Sequence, residues 1–70
     1  MKYLIVIEKT STGYSAYSPD LDGCVATGGS RGEVEHAMHE AIELHLDGLR
    51  IEGQQVPPPR SYSTYVDVSA

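Results

Sequence analysis

The chain begins with a run that is apolar at both parities: Tyr3, Ile5 and Ile7 on one set of alternate positions, Leu4 and Val6 on the other. Strands buried on one face alternate, whereas continuous apolar runs belong to strands covered on both, so residues 2–8 read as an interior strand. The Thr10-Ser11-Thr12-Gly13 cluster supplies a hairpin turn, after which Tyr14-Ser15-Ala16-Tyr17 alternates as a second strand. Pro19-Asp20-Leu21-Asp22-Gly23 stops it, and a short third strand over Cys24–Thr27 ends at Gly28-Gly29. The period then changes. Ser30 followed by Glu33 is a capping box, and Val34, Ala37, Met38, Ala41, Ile42, His45, Leu46 and Leu49 fall on one helical stripe, which Leu44 is expected to widen. Gly53 is the expected terminator. Pro57-Pro58-Pro59 forces a non-helical connection, and Tyr62–Val68 alternates again as a fourth strand.

This order predicts one α+β domain over residues 1–70, β-β-β-α-β, with a four-stranded sheet and one helix on one face. A connection through a helix returns the last strand parallel to an earlier one. Placing it beside the first gives the order 3-2-1-4 and makes the first strand interior. One helix covers one face only, so the other face, or an edge, is expected to be buried by a second copy or a partner protein.

Composition sharpens that expectation. A chain of 70 residues buries only about 60% of its unfolded surface, and small domains compensate with disulfides, a metal or another chain. The single cysteine, Cys24, excludes an intrachain disulfide. Five Lys and Arg against ten Asp and Glu give a formal charge of -5, the wrong sign for neutralising phosphates, so direct DNA binding is not expected. The chain lacks an apolar run of about 18 residues, and its N-terminal run is too short and too soon acidic for a signal peptide. With a lone thiol, this points to the cytoplasm and to no membrane partner.

The segment Gly13-Tyr14-Ser15-Ala16-Tyr17-Ser18-Pro19-Asp20-Leu21-Asp22-Gly23-Cys24-Val25-Ala26-Thr27-Gly28 resembles the signature of the HicB family of antitoxins, as do the capped helix after it and Ala41-Ile42-Glu43-Leu44-His45-Leu46. The resemblance runs along essentially the whole chain. It implies a truncated, RNase H-like fold without nuclease activity, serving as the neutralising half of a toxin-antitoxin pair. The partner it implies is a small basic HicA-type toxin, an RNA-binding domain that cleaves messenger RNA with a histidine. Asp22 stands where the family commonly has Pro, and Gly29 where a polar or acidic residue is usual. Larger members append a DNA-binding segment, for which residues 1–70 offer no counterpart.

The chemistry-bearing residues favour structural roles. An RNase H-like nuclease holds two Mg²⁺ ions about 4 Å apart on several carboxylates, one of them mid-strand in the first strand. That strand offers only Glu8, at its end, while Asp20 and Asp22 sit in a turn where Asp bonds its own backbone. His36 and His39 each precede a glutamate by four, Glu40 and Glu43, which suits surface pairs better than a Zn²⁺ site. No flanking base activates Cys24, which reads as a small packed hydrophobe. Gly28-Gly29 lacks the spacing of a nucleotide-binding loop. No catalytic, metal or cofactor residue is therefore assigned.

The five tyrosines of an acidic chain suit sheet packing and protein interfaces. Tyr14, Tyr17, Tyr65, Glu40, Glu43 and Asp47 are the expected interface residues. The functional expectation is a non-enzymatic, self-associating antitoxin-like domain, a dimer or tetramer, that masks the RNA-binding surface of a HicA-type toxin. The alternative is an oligomeric scaffold or small-ligand sensor without a toxin partner.

Overall fold

A computed structural model describes residues 1–69. Three strands and one helix form in chain order: β1 (Val6–Lys9), β2 (Tyr14–Tyr17), β3 (Val25–Gly28) and α1 (Arg31–Ile51). The strands make one antiparallel sheet in the order β1-β2-β3. The two hairpins and the helix thus follow the sequence pattern, with two corrections.

The first concerns the expected fourth strand. Residues 62–68 pair with no strand and are all exposed. The order is therefore three strands, not 3-2-1-4, and β1 is an edge strand rather than an interior one. The physical reason lies at the start of the segment. Asp20 holds the chain at Arg60 and Ser61, and beyond those residues no side chain or backbone bond ties the segment to β1.

The second concerns β1 itself, expected over residues 2–8 and formed over Val6–Lys9. Its partner β2 ends at Tyr17, opposite Val6, and the chain then bends at Ser18-Pro19. Residues 2–5 are left without a ladder, and the Leu4 carbonyl accepts a hydrogen bond from the buried Ser18 hydroxyl instead, at 2.9 Å.

Register sorts the side chains into two faces. Ile7, Ala16 and Ala26 lie in one row across the sheet, and Val6, Tyr17 and Val25 in the next. Successive strand residues point to opposite faces, so the first row meets the helix and the second faces away from it. The small alanines let α1 approach, and Gly28 lets it approach further: a Cβ there would stand 2.7 Å from the Val34 nitrogen. Val34 and Met38 are fully buried against Ala16, Cys24, Leu46 and Leu21, the last delivered by the β2–β3 loop. Leu21 completes the core although its neighbours Pro19 to Gly23 are turn formers; loop bonds from Leu21 N–H to the Ser18 carbonyl and from Cys24 N–H to the Leu21 carbonyl turn its side chain inward.

Both ends of α1 are closed by their own residues. Ser30 caps the start, its hydroxyl accepting from the Glu33 N–H at 3.2 Å, and the Glu33 carboxylate accepts from the Gly29 N–H at 2.9 Å. At the far end Gly53 turns left-handed, φ 71°, while Gln54 N–H bonds the Leu49 carbonyl and Gly53 N–H that of Arg50. This is the Schellman arrangement that glycine makes cheap. Among the described residues no helix is long and apolar enough to cross a membrane.

Candidate binding surface

The outward side of α1 carries i,i+4 side-chain pairs along its length: Arg31 with Glu35 at 3.5 Å, His36 with Glu40 at 3.0 Å, and His39 with Glu43. Arg50 meets Asp47 at 3.4 Å near the C-terminus. All are solvent-exposed, so each adds little stability and leaves its charge readable from outside. The two His–Glu pairs stand separately, and no group of three or more His, Cys, Asp or Glu converges among the described residues.

Within this side, Glu40, Glu43 and Asp47 surround Leu44 at a shallow depression of about 330 Å³. Leu44 is 72% exposed, which corrects its expected role in widening the buried face. It sits two positions from Leu46, about 160° away around the helix, and so points away from the sheet. An exposed leucine inside a carboxylate ring is an apolar contact point with a polar rim, the usual anatomy of a protein-binding patch. Its signal in the sequence is an apolar residue flanked by Glu43 and, three positions on, Asp47.

A second apolar area lies on the uncovered sheet face. Val25 is 66% exposed and Tyr17 42%, with half-buried Val6 beside them in the same row. A third lies between β1 and α1: a groove of about 360 Å³ lined by Tyr3, Ile5 and Ile42, with Glu35, His39 and Glu43 at its rim. The Tyr3 hydroxyl donates to the Pro57 carbonyl and ties the segment after the helix to this end of the molecule.

The expected interface residues therefore do not form one site. Glu40, Glu43 and Asp47 share the α1 patch. Tyr17 is on the open sheet face, whereas Tyr14, three positions earlier, is half-buried toward the helix side and borders a cleft with Ile5, Ile7, Lys9, Arg31 and Tyr65. Tyr65 itself is fully exposed.

Two titratable groups outside α1, Asp20 and Cys24, have structural roles. Asp20 does not bond its own turn, as expected from its neighbours; it reaches 40 residues along the chain to accept from Arg60 N–H, Ser61 N–H and the Ser61 hydroxyl at 2.8–3.0 Å. The backbone N–H groups of Ser61 and Arg60 hold its carboxyl below the ordinary value. Cys24 is buried, and desolvation pushes its thiol up, so it carries little thiolate at neutral pH.

Similarity to known proteins now bears on this geometry. Residues 3–69 match the model of the HicB-like antitoxin of bacterial toxin-antitoxin systems. A 14.9 kDa protein from the rep-hol intergenic region of Haemophilus phage HP1 is 31% identical over 67 residues, 96% of this chain. A UPF0150 protein of Helicobacter pylori is 47% identical over 47 residues, 67% of this chain. The chain spans half the length of the phage protein and 65% of the Helicobacter one. In three dimensions it resembles a chain of the HicA3 and HicB3 toxin-antitoxin complex, with a TM-score of 0.73 and 37% identity over 84% of this chain and 70% of that one. Fold, hairpin signature and relatives agree, and the chain belongs to the HicB-like antitoxin family of bacterial toxin-antitoxin systems.

Proposed function

We propose that this chain neutralises a small basic HicA-type toxin by binding it and covering the surface with which the toxin holds RNA. The chain acts as a non-enzymatic mask. The observation that carries the reading is the acidic ring of Glu40, Glu43 and Asp47 around exposed Leu44 on a helix whose other side is locked into the core. Carboxylates on a rigid helix steer a basic partner and occupy the cationic groups that would otherwise meet phosphates. Leu44 then supplies the desolvated contact at the centre.

The family and the structural similarity to a chain of a toxin-antitoxin complex support this partner. Titration calorimetry with a small basic HicA-type toxin tests the surface. Binding is expected to weaken steeply as salt rises, and Leu44→Asp or the triple change Glu40→Lys, Glu43→Lys, Asp47→Lys is expected to weaken it about a hundredfold, while far-ultraviolet circular dichroism stays unchanged. Undiminished binding by both variants would move the interface off α1.

A further inference from the structure

Each of the three carboxylates around Leu44 has a cation or an imidazole beside it on the same helix. Glu40 meets His36 Nε2 at 3.0 Å, Glu43 meets His39, and Asp47 meets Arg50 at 3.4 Å. Arg50 stays charged throughout the neutral and acidic range, whereas an imidazole gains its charge as the pH falls from about 8 to about 5. Two histidines therefore set the balance at the ring. With both neutral, three carboxylates face one guanidinium and two negative charges remain; with both protonated, none remains.

We propose that His36 and His39 make the acidic patch proton-sensitive, so that it holds a basic partner at neutral pH and loosens it in mild acid. The inference rests on the masking role above and adds its control. Residues four apart share a helix face, so each imidazole reaches across one turn to its ring carboxylate. Both side chains are exposed, at 78% and 72%, and protons reach them freely.

Other charged neighbours are already engaged. His39 borders the groove with Tyr3, whose hydroxyl donates to the Pro57 carbonyl, and with Glu35, which pairs with Arg31. The strands packed against α1, β2 and β3, bring Tyr14 and Tyr17 but no side chain charged at neutral pH. An imidazolium beside the ring repels a basic partner, so the partner binds the neutral form better and binding sheds protons. Affinity is full where both imidazoles are neutral and falls as the pH drops through their titration range. A partner seated over Leu44 excludes water from the ring and strengthens these charge effects.

The test compares binding at about pH 7.5 and about pH 5.5, at one ionic strength, for two probes. A small basic HicA-type toxin is followed by calorimetry. A pentalysine peptide blocked at both ends, which has no group titrating in this range, is followed by the amide chemical shifts of Glu40, Glu43 and Asp47. Both are expected to bind about fivefold or more weakly at the lower pH. The double variant His36→Gln, His39→Gln stays uncharged and is expected to lose most of that fall, with the helical circular dichroism signal unchanged. A toxin that fails to bind while pentalysine shows the histidine-dependent fall would leave the proton-sensitive patch standing and overturn the masking role. A fall of equal size in the double variant, no fall for either probe, or a patch that binds neither at neutral pH would overturn the proposal.

Discussion

Asp20 shows how one carboxylate can organise a segment far from it in sequence. It accepts three hydrogen bonds from Arg60 and Ser61 and thereby decides where the chain after the prolines begins. Its folded value lies below the ordinary 3.8, so the attachment is at full strength above that pH and is lost as pH falls through the lower folded value. The protection of the Arg60 and Ser61 amides, taken relative to their intrinsic exchange rates at the same pH, is expected to be high at about pH 6 and to fall as the pH drops below 3.8, and Asp20→Ala is expected to remove it throughout. Protection retained in the variant would mean that other contacts hold the segment. None of this was legible from the residues around Asp20. Its neighbours Pro19 and Gly23 spoke for a turn, and a partner 40 residues away leaves no local trace. Leu44 departs from the helical stripe for a related reason. A helical stripe has no sharp margin in sequence, and the narrow three-stranded sheet uses only the centre of it.

Elements whose signals are local came through. Ser30 with Glu33 marked the start of α1 and Gly53 its end, because caps are settled by residues within a turn of one another. Two glycines near that end separate conformation from packing. A Cβ at Gly53 or at Gly48 would meet nothing within 4 Å, but Gly53 has φ 71° and Gly48 is helical. Gly53→Ala is therefore expected to cost about 1 kcal/mol for the left-handed backbone, and Gly48→Ala to add about 0.5–1 kcal/mol through helix propensity. Urea unfolding midpoints moving in opposite directions would confirm the pair; equal shifts would refute the cap. The strand at 62–68 shows the opposite case, since alternation announces that a strand is wanted but not which edge will take it.

At the scale of the molecule, the chain measures 49 × 27 × 17 Å with a radius of gyration of 13.9 Å. A compact chain of this length would have about 11 Å. The excess belongs with residues 62–68, which follow Ser61 into solvent. The buried apolar core of the described residues is small: Ala16, Leu21, Cys24, Val34, Met38 and Leu46. On the proposed reading such a domain takes a basic partner across α1, and the net charge of -5 sets the sign of that partner. The most direct measurement is co-expression in bacteria with a small basic HicA-type toxin, under separate promoters, reading growth and messenger RNA integrity. The toxin alone is expected to arrest growth and cleave RNA, this chain to restore both through a complex recoverable on either partner, and Leu44→Asp to fail to restore them. Persistent arrest with no complex, despite abundant folded chain, would contradict it.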